Sequence, residues 1–158
     1  MYTRIMLAYD GSDAAKRALD YIRTTVPVHS DTQVDVVAVS AYTIPNMPAN
    51  IGWYGIGTDF QAIDPQTIVQ IRDEQLKREQ EEAFKELSPL LENMPCKYEV
   101  KAIPQGLSIA DSILDYAEDN DVDLVVMGSR GLGAIRGALG SVSYAVLRSC
   151  PKPVLIIK

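Results

Sequence analysis

The sequence predicts an α/β fold: a single doubly wound, parallel, five-stranded sheet with helices on both faces. Three observations carry this prediction. Short runs of apolar and β-branched residues alternate with stretches of helical spacing along the whole chain. Most of the runs are nearly continuous in apolar character, as expected of strands covered on both faces. Strands joined through helices run parallel, and right-handed crossovers then place helices on both sides of the sheet. At 158 residues the chain has the size of one domain, large enough to bury a core without disulfides or metals. No linker or internal repeat divides it, so residues 1–158 read as one domain.

The first strand is Arg4–Tyr9 (RIMLAY), which ends at the turn Asp10-Gly11-Ser12. The helix that follows puts Ala14, Ala15, Ala18, Leu19 and Ile22 on one face, and Pro27 stops it. Gln33–Ser40 (QVDVVAVS) is the second strand. Residues 41–64 break the rhythm with two prolines, three glycines and no helical period, a long excursion of the kind that is often functional. Asp64-Pro65 then reads as N-cap and first position of a helix. Over about 66–93 that helix lines up Leu76, Ala83, Leu87, Leu90 and Met94. Its outer face offers the i,i+4 pairs Lys77–Glu81 and Arg78–Glu82, most simply a solvated face.

Residues 97–102 form a third, more polar strand suited to a sheet edge. Ser108 caps a helix at 108–119, with Asp111 three residues on in the manner of a capping box. The fourth strand is 123–127, followed by a glycine-rich stretch. A short helix over 141–149 ends at Pro151, and Val154–Ile157 (VLII) is the last strand.

Composition narrows the function. Hydrophobic residues make up 47% and charged residues 23%, ordinary for a soluble globular protein. The net charge of −6 argues against general binding to nucleic acid or anionic membranes, both of which need a basic surface. The charge is uneven, however. Beyond Asp123 every charged residue is basic: Arg130, Arg136, Arg148, Lys152 and Lys158. That asymmetry suits a local anion, or is no more than a basic tail. Cys96 and Cys150 form no metal-binding spacing, and His29 is the single histidine, which excludes a zinc site on ligand count. Free thiols, no apolar run of transmembrane length and an N-terminus that reads as a strand predict a cytoplasmic protein.

The informative stretch runs from Gly128 to Ser143 (GSRGLGAIRGALGSVS), leaving an apolar strand and ending at a helix start. Glycines allow backbone to approach a phosphate closely, and a helix N-terminus supplies unpaired N–H donors and partial positive charge. Gly140, Ser141 and Ser143 thus form a candidate phosphate cradle, to which Arg130 and Arg136 add charge-assisted donors. A surface loop with a serine N-cap accounts for the same letters. The stretch is neither a P-loop, lacking GKS or GKT, nor Rossmann-type, since it follows the fourth strand and not the first.

This stretch resembles the signature of the universal stress protein family: Gly-x-x-Gly, a spacer, then Gly-Ser or Gly-Thr. The similarity extends over RIMLAYDGSDAAKRAL, DLVVMGSRG and GSVSYAVLRSCPKPVLIIK. The spacer, residues 132–139, is one residue shorter than is usual there. The resemblance implies a cytoplasmic protein whose five-stranded fold is like that of adenine-nucleotide α-hydrolases, paired into homodimers through its last strand. It also implies the ATP-binding branch; whether magnesium or manganese accompanies the nucleotide stays open. By match, Ala8, Tyr9, Asp10 and Val39 would line the adenine and ribose region. Met127, Gly128, Arg130 and Gly131 would sit beside ribose and phosphates, and Gly140, Ser141, Val142 and Ser143 would hold the phosphate chain. Apolar groups at strand ends suit a base, as backbone donors suit phosphates.

Asp10 has two open readings: a partner for a ribose hydroxyl or a phosphate-bound metal, or a turn residue capping the first helix. Trp53, Tyr54 and Phe60 either cover the nucleotide or a dimer partner, or pack locally. For catalysis there is no Ser-His-Asp set, and one carboxylate is not a mechanism. The expected role is a nucleotide-dependent sensor or regulator in stress response. The rivals are a nucleotide-hydrolysing or adenylyl-transferring enzyme, against which Asp10-Gly11-Ser12-Asp13 lacks an SGGxDS-like loop, and a nucleotide-free dimeric interaction module.

Overall fold

A computed structural model describes residues 2–41, 65–130 and 139–158. In chain order its elements are β1 (Arg4–Tyr9), α1 (Asp13–Thr24), β2 (Gln33–Ser40), α2 (Pro65–Leu91), β3 (Lys97–Pro104), α3 (Ile109–Asp119), β4 (Leu124–Gly128), α4 (Ser141–Ser149) and β5 (Val154–Ile157). The five strands form one sheet in the order β3-β2-β1-β4-β5, parallel throughout. The order reverses at β1, between β2 and β4.

Strand alternation sorts the core into two layers. Ile5, Leu7 and Tyr9 point toward α1 and α2, with Val34, Val36, Leu124 and Val126 beside them. Met6, Val37, Val125 and Met127 point the other way, onto Ala110, Ile113 and Ala117 of α3 and Val146 of α4. Each fully buried aliphatic side chain contributes about 1.5–3 kcal/mol. The predicted face of α1 is the buried one, Ala14, Ala15, Ala18, Leu19 and Ile22. Gly11 makes the preceding turn at φ 79, a region that favours glycine. Ser12 then caps α1 by accepting the amide of Ala15 at 3.1 Å.

α2 departs from its predicted pattern. Ala83 and Leu87 are buried, but the seam continues through Leu91, whereas Leu76, Leu90 and Met94 are only half-buried. Neither Lys77–Glu81 nor Arg78–Glu82 closes into an ion pair among the described residues; Lys16–Glu86 does, at 2.6 Å. Pro89 lies inside the helix and cannot serve the carbonyl of Lys85. The hydroxyl of Ser88 donates to that carbonyl instead, at 3.1 Å. Asp64, Trp53, Tyr54 and Phe60 lie outside the described residues.

β3 is an edge strand, as predicted from its polarity, and runs on to Pro104. The capping of α3 by Ser108 is also as predicted: its hydroxyl oxygen accepts from the amide of Asp111 at 3.0 Å. One buried charge had no counterpart in the sequence reading. Asp35 in β2 is fully buried, and Arg4 (2.8 Å), Gln33 (2.9 Å) and Tyr116 (3.1 Å) donate to it. Pairing of this kind is what makes a buried carboxylate tolerable. Among the described residues no helix is long and apolar enough to cross a membrane.

Candidate functional site

A cavity of about 500 Å³ opens at the carboxyl ends of β1, β2 and β4, where the strand order reverses. Open parallel sheets place their ligands at such a point. Its apolar wall is Ala8, Val37, Val39 and Met127 from the strands, faced by Ile109 and Ile113 from the first turns of α3. Its polar end is Asp10, Arg130, Gly140, Ser141, Val142 and Ser143. Every predicted site residue in the described part therefore lines this one cavity, Tyr9 and Gly128 included. Gly131 and Arg136 lie outside the described residues.

Sequence reading missed Val37, Ile109 and Ile113. Val37 was legible as the residue two before Val39, hence on the same face of β2. Ile109 and Ile113 share a helix face at i,i+4, but nothing local says that this face meets β2 across the cavity. Tyr9 lines the cavity at the end of β1. Its ring belongs to the opposite layer, and its hydroxyl donates to Glu86 of α2. Burial, then the neighbouring Glu86 carboxylate, pushes the Tyr9 phenol far above its ordinary value. Glu86 is in turn held low, first by Lys16 and then by Tyr9.

The glycine stretch is anchored at both ends. The amide of Gly140 donates to the carbonyl of Ser129 at 2.8 Å, and the hydroxyl of Ser143 donates to the carbonyl of Gly128 at 2.9 Å. The amide of Ser129 donates to Ile157 in β5 at 2.6 Å. Gly128 must be glycine for space, since a Cβ there would lie 2.8 Å from the Cβ of Ala14. Gly140 is not needed for its backbone: it lies at φ −64, ψ 152, open to other residues.

The electrostatics at this end favour an anion. α4 starts at Gly140 without a side-chain cap. Its first amides, those of Ser141, Val142 and Ser143, take no hydrogen-bond partner among the described residues. The Nε of Arg130 is buried and likewise without a partner. A buried orphan donor at an uncapped helix start is a gap that an anionic group would fill. Asp10 is exposed, and its carboxylate accepts the amide of Ser12 at 3.0 Å. It braces the turn, while the cap of α1 is Ser12; the second reading of Asp10 is corrected to that extent. Among the described residues no group of three metal-ligating side chains gathers. The arrangement can hold a molecule that is flat and apolar at one end and anionic at the other.

Comparison with known proteins gives a consistent result. A profile of the Universal stress protein family matches residues 58–158. A universal stress protein of Thermus aquaticus, encoded in the QAH/OAS sulfhydrylase 3′ region, is 33% identical, with 100% of both chains covered. Among solved structures, the hypothetical protein MJ0577 of Methanocaldococcus jannaschii superposes with a TM-score of 0.66 at 24% identity, over 100% of this chain and 96% of that one. The universal stress protein from Archaeoglobus fulgidus in complex with dAMP gives 0.57 at 22%, over 99% and 98%. At these identities the two structural likenesses speak to fold.

Proposed function

The chain belongs to the universal stress protein family, and from that premise we propose that it binds an adenine nucleotide, ATP, as a sensor or regulator in the cytoplasm. One observation carries the proposal: a single cavity joins an apolar wall to an uncapped helix start, with the Arg130 Nε, unpartnered among the described residues, beside it. The dAMP complex of the Archaeoglobus fulgidus protein supports the class of ligand. The base lies against Ala8, Val37, Val39, Met127, Ile109 and Ile113, with Tyr9 contributing at the end of β1. Asp10 takes a ribose hydroxyl. Gly128 and Arg130 flank the phosphates, and the amides of Ser141, Val142 and Ser143 bind them at Gly140. Magnesium or manganese accompanies the phosphates.

Occupancy is read by a homodimer formed through β5. Residues 154–157 are the second edge of the sheet. The carbonyls of Pro153 and Ile157 accept bonds from β4, so by alternation the amides of Val154 and Ile156 face outward. Such an edge is a template for pairing. Ile156→Pro removes an outward amide without touching the β4 ladder, and light scattering should then report monomer. A persistent dimer assigns the pairing to another face.

The binding proposal is tested by isothermal titration of the nucleotide-free protein with ATP and Mg²⁺, beside Gly140→Arg. Micromolar binding that the variant loses is the expected result. No binding by folded wild type turns the reading to the interaction module. Product formation in a single-turnover assay would move it to the enzyme class.

A further inference from the structure

α2 meets the sheet in two ways. Toward its C-terminus it buries Ala83, Leu87 and Leu91. Before Ala83 none of its described side chains is fully buried, and hydrogen bonds tie this half of the helix to the end of β2. Ser40, the last residue of β2 and itself buried, donates its hydroxyl to Glu79 at 2.9 Å. Gln75 donates to that same hydroxyl at 3.2 Å and to Glu79 at 3.0 Å. Tyr9, the last residue of β1, donates to Glu86, which also pairs with Lys16 of α1. Glu79 and Glu86 stand two helical turns apart on one face. The final residue of each of two neighbouring strands thus engages a glutamate of the same helix.

Those strand ends are also the wall of the cavity. Ala8, Val37 and Val39 face it from one side of the sheet, while Tyr9 and Ser40 reach α2 from the other. A hydrogen bond weakens steeply as its angle and distance depart from the optimum. Polar pins therefore make the seating of α2 sensitive to small displacements of these strand ends. We propose that Tyr9 and Ser40 are positioning residues that tie occupancy of the cavity to the docking of α2. This rests on the nucleotide-binding reading. By linkage the tie runs both ways: a ligand that settles the strand ends secures α2, and a secured α2 raises affinity.

The test is hydrogen exchange of the full chain with and without ATP and Mg²⁺, together with titration. In wild type, saturating ATP should slow amide exchange in α2 across the turns holding Gln75, Glu79 and Glu86. Y9F and S40A each remove one hydroxyl; each should weaken ATP binding roughly fivefold or more and lose that slowing. E86Q keeps an oxygen for the Tyr9 hydroxyl and should bind more tightly than E86A, an ordering that a purely structural role for the ion pair would not produce. If wild type binds ATP and α2 exchange is unchanged, or if Y9F and S40A bind and protect like wild type, the inference is overturned and the nucleotide reading stands. If folded wild type binds no ATP, both fall. Should either variant fail to fold, the wild-type exchange result decides alone.

Discussion

Ser143 donates its hydroxyl to the carbonyl of Gly128 at 2.9 Å, so the first turn of α4 is tied to the last residue of β4. Both residues line the cavity, and Ser143 is buried. The bond satisfies a strand-terminal carbonyl and sets the direction in which the first amides of α4 point. Ser143→Ala leaves that carbonyl unpaired, at a cost of about 1–2 kcal/mol. Urea unfolding should register the loss, and nucleotide affinity should fall with it. Unchanged affinity in a destabilised variant would separate the bond from the site.

Gly128 is required by a close approach, not by its backbone angle. A Cβ there would meet the Ala14 Cβ at 2.8 Å and the backbone of Ala14 and Ala15 at 3.1 Å. Gly128→Ala should therefore push α1 off β4 and cost about 1–3 kcal/mol, as overpacking does. Adding Ala14→Gly removes the nearest atom and should recover part of the loss. A double-mutant cycle in urea measures the coupling. Additive effects would mean that the two residues do not press on each other.

At Gly140 stability and binding should move in opposite directions. Its backbone accepts any residue, and a Cβ would find its nearest neighbours at 3.4 Å, an ordinary contact. Gly140→Ser supplies the cap that α4 lacks and should raise stability by a few tenths of a kcal/mol. The new hydroxyl then competes for the amides proposed to bind phosphate, and affinity should drop. Thermal melts and titration of the same preparation check both signs. A rise in affinity would remove the start of α4 from the phosphate site.

These contrasts follow the boundary of what the sequence made legible. The stripe of α1 and the near-continuous runs of β2 and β4 are periodic signals of burial, and they predicted their elements directly. The glycine stretch was legible because its flanking strand and helix are local features. What pairs distant elements was not. Gln75, Glu79 and Glu86 carry no sign of a partner in the sequence, yet they hold the ends of β1 and β2. Asp35 stands inside a strand read as nearly continuous in apolar character, and its partners Arg4 and Tyr116 come from 31 and 81 residues away. Ile109 and Ile113 became part of the cavity only through the crossing of α3 over β2. Period tells which face is buried, and only the tertiary arrangement tells against what.

Asp123 gives the fold a pH dependence of defined sign. Its carboxylate accepts from the hydroxyl of Thr3 and from the amides of Thr3 (2.7 Å) and Arg4 (2.9 Å), so it fastens the start of β1 beside β4. These donors, the Thr3 hydroxyl foremost, hold its pKa below the ordinary aspartate range. A depressed carboxylate contributes stability above the unfolded value near 3.9, and the contribution disappears as pH falls through the lower folded value. Asp123→Asn should therefore be less stable at pH 7, by about 1 kcal/mol once solvent screening of this partly exposed group is allowed for. The gap should narrow below about pH 4, where the wild-type carboxyl also becomes neutral. Urea midpoints of both proteins between neutral and acid pH check this. A gap that stays constant over that range would mean that geometry, and not the charge on Asp123, holds the two strands together.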